Sequence, residues 1–74
     1  MKPGRAEARR ALSARLIESG QMPEAEAVTR PGLDHAMDGR LKGMMHNNLA
    51  LALRAQRKDQ AALEHFDKAQ ALNP

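Results

Sequence analysis

The sequence predicts an all-α protein, and three observations predict it. Among its 74 residues only Ile17, Val28 and Thr29 are β-branched, so little in the chain favours a pleated strand. Apolar residues recur at spacings of three and four, the period of a helix face. Gly20, Pro23, Asp38 and Asp59 punctuate the chain as helix stops and starts, leaving room for about four helices.

The first helix is expected over Arg5 to Ser19, where Ala8, Ala11, Leu12, Arg15 and Leu16 mark one stripe. Gly20 then ends it. A second helix should start near Met22, because Pro23 lacks an N–H the first turn would leave unbonded anyway and Glu24 and Glu26 suit a helix N-terminus. Pro31 and Gly32 should break or kink that helix, leaving a short helical turn over 33–37. Asp38 offers an N-cap for a third helix, whose wide apolar face comprises Leu41, Met44, Met45, Leu49, Ala52 and Leu53. Asp59 is expected to cap a fourth, with Ala62, Leu63, Phe66, Ala69 and Leu72 on one side and Asn73-Pro74 closing it.

Composition excludes several function classes. Cysteine is absent, so disulfides and thiolate metal sites are ruled out. Phe66 is the only aromatic residue, which leaves no stacking platform for single-stranded nucleic acid. No apolar run approaches the roughly 20 residues of a membrane span, and MKPGRAEARRALSARL lacks the apolar core of a secretory signal. A cytoplasmic protein without membrane contact is expected. At this length one small domain over 1–74 is expected, burying about 60% of its unfolded surface.

The net charge of +3 is uneven. Residues 1–20 hold five basic side chains against two acidic ones, whereas the basic and acidic residues of 21–74 cancel. The excess lies on the first helix, where Arg5, Arg9, Arg10 and Arg15 would attract a polyanion if they do not simply form a solvated face.

His46 to Pro74, HNNLALALRAQRKDQAALEHFDKAQALNP, carries a further pattern. A large residue at His46 is followed by Leu49, the small Ala50 and the large Leu53; a second set comprises the small Ala62, Phe66, Ala69 and Pro74. Small residues at these places let two helices approach while Leu49, Leu53 and Phe66 fill the space around the contact. This spacing resembles the tetratricopeptide repeat family. Departures are His46 where an aromatic is usual, Arg57 where the turn often has glycine, and Asp59 where an aromatic is common. Residues 43–74 resemble one good repeat and 5–38 a degenerate one, in which Gly20 stands at the turn, Ala25 at the small position, Leu12 opposite Leu49 and Thr29 opposite Phe66. The interval from Ala25 to Ala62 is 37 residues, against about 34 in the family.

The resemblance implies antiparallel helical hairpins stacked as a short α-solenoid, acting as a protein–protein interaction module rather than an enzyme. Such a module binds a peptide or protein through a concave groove or an exposed helical end and needs no cofactor. The positions implied for the groove are Arg10, Ile17, Met44, Asn47, Asn48, Leu51 and Arg54, with Glu7 and Ala14 beside them. Asn47 and Asn48 are attractive because an amide both donates to and accepts from a peptide backbone. A clamp for a terminal carboxylate is not matched, since Ala14 and Leu51 stand where it needs polar groups. The last helix should also leave Leu63, Phe66 and Leu72 open to self-association. The alternative function is a basic helical module gripping nucleic acid or another polyanion through the first helix, although nucleic acid is not the expected partner.

Other chemistry finds no support. His35, His46 and His65 fall on different expected elements without zinc-ligand spacing, and neither a nucleophile elbow nor a phosphate-binding glycine loop is present. Neither catalytic residues nor a metal site is expected. Met37, Met44 and Met45 are expected to fill gaps at a helix junction.

Overall fold

The computed structural model describes residues 5–35 and 38–73. They form four helices and, among the described residues, no strand: α1 Arg5–Glu18, α2 Met22–His35, α3 Gly39–Ala55 and α4 Asp59–Leu72. Three-residue turns over 19–21 and 56–58 fold α2 back on α1 and α4 back on α3. Helix α3 also packs on α2 and α1, whereas the described backbone of α4 approaches that of α3 alone.

The two hairpins share one register. Helix α4 begins and ends 37 residues after α2, at 59 against 22 and at 72 against 35. Their turns close with corresponding bonds: Gly20 N–H to Ile17 O at 3.0 Å and Gln21 N–H to Leu16 O at 2.8 Å, then Arg57 N–H to Arg54 O and Lys58 N–H to Leu53 O, both at 2.9 Å. This is the Schellman arrangement, which satisfies the last helical carbonyls by turning one residue left-handed. Gly20 has φ +82°, and Arg57 adopts φ +66° in its place.

Small residues set the helix spacing as expected. Ala25 and Ala62 are buried at corresponding positions of α2 and α4, and Leu49, Leu53 and Ala62 form the centre of the core. Phe66 packs beside that centre and stays partly open, as expected. It is only half-buried at the edge of that cluster, with the Arg54 guanidinium 5.5 Å from its ring centre.

Helix α2 runs through Pro31 and Gly32 instead of breaking there, and Leu33 continues it. Pro31 denies Ala27 O its helical donor, and the next carbonyl, Val28 O, is tied to α1 by Arg9 Nη1 at 3.4 Å. Gly32 is what lets α3 come close: a Cβ there would collide with the Met45 side chain and stand 3.1 Å from Arg9 Cδ. Tertiary packing therefore overrides the local breaker signal. The remainder of the expected short turn, 36–37, including Met37, lies outside the described residues.

The caps divide. Asp38 accepts from Arg40 N–H at 2.9 Å and caps α3 as expected. Asp59 does not cap α4: Lys58 holds that position without a side-chain bond, and Asp59 is the first helical residue, where its charge still favours the N-terminus.

Glu26 latches α2 to the second turn. Arg30 Nη2 donates to its Oε2 at 2.8 Å, and Gln56 Nε2 and Lys58 Nζ donate to its Oε1 at 2.9 and 3.4 Å. Burial pushes the Glu26 carboxyl up, but the donors from Arg30, Gln56 and Lys58 outweigh it and hold the group below the usual glutamate range.

Candidate functional site: an open groove between α3 and α4

An open groove of about 550 Å³ lies along α3 and α4, with Arg10 of α1 at its rim. Met44, Phe66 and Ala69 supply its apolar surface, and Asn47, Asn48, Gln70 and Asn73 supply amides. Gly43 lets the far end of α4 approach α3: Asn73 Nδ2 donates to Arg40 O at 3.0 Å, and a Cβ on Gly43 would stand 3.3 Å from Leu72 Cβ. The lining thus offers an apolar strip bordered by groups that pair with a peptide backbone, together with one guanidinium.

Four of the residues expected in a groove come together here, namely Arg10, Met44, Asn47 and Asn48. Ile17, Leu51 and Arg54 do not line it. Ile17 and Leu51 are half-buried, and Arg54 lies over Phe66. Along α3, Leu51 lies one helical turn beyond Asn47 and Arg54 about two, past the stretch of α3 that lines the groove. Asn48 is not a free amide: it donates to Ser13 Oγ at 2.9 Å and to Arg10 O at 3.4 Å, tying α3 to α1. The contribution of α4 was missed in the sequence, although Gly43 inside a helix is the usual mark of a close backbone approach.

Two arginines of α1, Arg9 and Arg10, make contacts within the chain. Arg9 is half-buried against α2, and Arg10 Nη2 is paired with Glu7 at 2.7 Å while its buried Nε has no partner among the described residues. Donation from Arg10 holds the Glu7 carboxyl below its usual range. Arg15 remains exposed. No described helix is long and apolar enough to cross a membrane.

Leu63 and Leu72 are both exposed, as expected, but not on one face with Phe66. Nine residues of helix is half a rotation, so the two leucines flank α4 on opposite sides. Leu72 lies near Gly39, where an added Cβ would meet its Cδ2 at 3.8 Å, whereas Leu63 is 62% exposed.

A second pocket lies between α2, α3 and α4, lined by Arg30, Leu33, Lys42, His46, Leu49 and His65. His46 and His65, read as separate in the sequence, stack at 5.1 Å with their Nδ1 atoms 2.9 Å apart. They lie ten residues before the turn over 56–58 and seven after it, and comparable distance from a hairpin turn is the signal that pairs them. One Nδ1 must donate and the other accept. Burial lowers both histidine pKa values, and Lys68 adds to the effect on each; the neighbouring ring and Lys42 also act on His46, and Arg30 on His65, against a raising effect of Glu64. The side chain of His35 lies outside the described residues. Among the described residues no three metal-ligating side chains converge.

Compared with known proteins, the chain matches no family model, no curated protein and no solved structure.

Proposed function

We propose that this chain is a protein–protein interaction module, a small tetratricopeptide-like adaptor or scaffold with no catalytic role, built as a short α-solenoid. The observation that carries the reading is the α3–α4 groove, whose apolar strip of Met44, Phe66 and Ala69 is bordered by the amides of Asn47, Gln70 and Asn73. Such a surface gains affinity from burying apolar side chains and orients its ligand through the amides. The common 37-residue register of the hairpins supports the solenoid, because repeated units stack by repeating their contacts. The bond of Arg9 to Val28 and the pairing of Arg10 with Glu7 weigh against a polyanion grip on α1.

A peptide-display selection against the folded chain tests this function. Recovered peptides should lose at least tenfold in affinity to a Gln70→Glu, Met44→Glu variant and change little between low and moderate salt. Peptides whose affinity ignores those substitutions and falls steeply with salt would instead support polyanion-type binding.

A further inference from the structure

The 37-residue register allows the groove to be compared with a place where the protein has already solved the same problem. On the first hairpin, the corresponding surface is filled by α3. Met45 lies on Gly32, and Asn48 donates to Ser13 and to the backbone of Arg10. Moved on by 37 residues, Gly32 becomes Ala69, Thr29 becomes Phe66 and Arg10 becomes Asn47, three residues of the groove. Gly32, with Met45 of α3 against it, and Thr29 are buried, whereas Ala69 and Phe66 are only half-buried. The groove has the form of a seat for a helix like α3.

The matching helix face is also present, at the other end of the molecule. The buried residues of α3 include Met45, which lies on Gly32, Leu49, which lines a pocket with Leu33, and Ala52. Their counterparts on α1 are Ala8, Leu12 and Arg15, and all three are exposed, Leu12 at 47% against 1% for Leu49. One end of the protein thus offers an uncovered seat, and the other an uncovered helix face of corresponding register.

Charge agrees with that pairing. With Arg9 and Arg10 engaged in their own chain, α1 brings the exposed guanidinium of Arg15. Helix α4 carries Asp59, Glu64 and Asp67 against Lys68, a net −2 with histidines neutral. Asp59 and Asp67 each lie four residues from the exposed Leu63 and so share its side of the helix. Inside the protein the antiparallel register sets Gln56 beside Glu26 and Leu49 beside Leu33. The same register applied to an incoming α1 sets Ser19 beside Leu63, Leu12 beside Gln70 and Arg15 opposite Asp67.

We propose that the groove is the docking site for α1 of a second copy of this chain, seated head to tail in the register that α3 occupies on the first hairpin. This rests on the groove being an interaction surface and names its partner. The interface is heterologous, so each docked copy leaves one groove and one α1 face open and the assembly grows beyond a dimer. Arg15 in place of Ala52 makes the junction less closely packed than the internal one, so association should be concentration-dependent and should weaken with salt as the α1–α4 attraction is screened.

Sedimentation equilibrium of the full chain, with helicity checked by circular dichroism, tests the assembly. The mean mass should rise with concentration past twice the 8.1 kDa of one chain. Leu12→Glu blocks the α1 face and Ala69→Glu blocks the groove, and each variant alone should stay monomeric. An equimolar mixture should form a one-to-one dimer and stop there, since each variant retains the end the other lacks. If Ala69→Glu unfolds the chain, Asp67→Arg, on the surface of α4, replaces it in the same mixture. A monomer at every concentration would overturn the proposal, as would a dimer that Leu12→Glu leaves unchanged. Should self-association fail while selected peptides still bind the groove, only the identity of the partner falls. Should neither bind, the interaction function falls with it.

Discussion

Gly20 and Arg57, 37 residues apart, occupy the same left-handed position in the two inter-helix turns. Glycine adopts that conformation freely, but a side chain there costs about 1–2 kcal/mol. Arg57→Gly should therefore stabilise the protein, by roughly 0.5–1 kcal/mol after the greater freedom of glycine in the unfolded chain is deducted. A Cβ on Gly20 would meet nothing within 4 Å, so Gly20→Ala should cost about 1 kcal/mol through backbone strain alone. Urea unfolding of both variants measures the two shifts, and equal signs would contradict the shared turn geometry.

Gly32 and Met45 should be energetically coupled. With Met45 in place, Gly32→Ala forces a fully buried side chain to move and should cost about 1–2 kcal/mol despite the better helix propensity of alanine. In a Met45→Ala background only the tight approach of Arg9 remains, and the same substitution should cost about 1 kcal/mol less. A double-mutant cycle by chemical unfolding reads the coupling; an equal cost in both backgrounds would mean that α3 does not rest on Gly32.

The histidine pair predicts a pH dependence of stability. Folding lowers the pKa of both His46 and His65, chiefly through burial and then through neighbouring positive charge. The unfolded chain then binds more protons than the folded one between the lowered values and the ordinary value of about 6.5, so stability falls as pH drops through that window. Thermal unfolding between pH 7.5 and pH 5 should show a falling midpoint, and replacing both histidines by glutamine should flatten the curve. The lowered carboxyls of Glu7 and Glu26 act at lower pH, because their ordinary values lie near 4.5.

The helices were legible in the sequence because their boundaries are set locally. Gly20 and Asp38 act within one turn of themselves, and the Ala25 to Ala62 interval of 37 residues already contained the register seen in the turns. Pro31-Gly32 misled because the forces holding α2 together there, Arg9 and Met45, come from other helices. Phe66 is half-buried because a core position in a repeated pattern is fully buried only when a further element covers it. The groove was half legible. Arg10, Met44, Asn47 and Asn48 share faces that the 3.6-residue period reveals, whereas Gln70 and Asn73 enter through the way α4 lies on α3, which no single-helix pattern encodes.

The α3–α4 groove as the binding surface is tested most directly by the side-chain amide NMR signals of the protein titrated with a display-selected peptide. The signals of Asn47, Gln70 and Asn73 should shift together and saturate with the binding curve, while those of Gln21 in the first turn and Gln60 at the start of α4 stay in place. Shifts confined to the α1 region around Arg15, with the three groove amides unmoved, would contradict it.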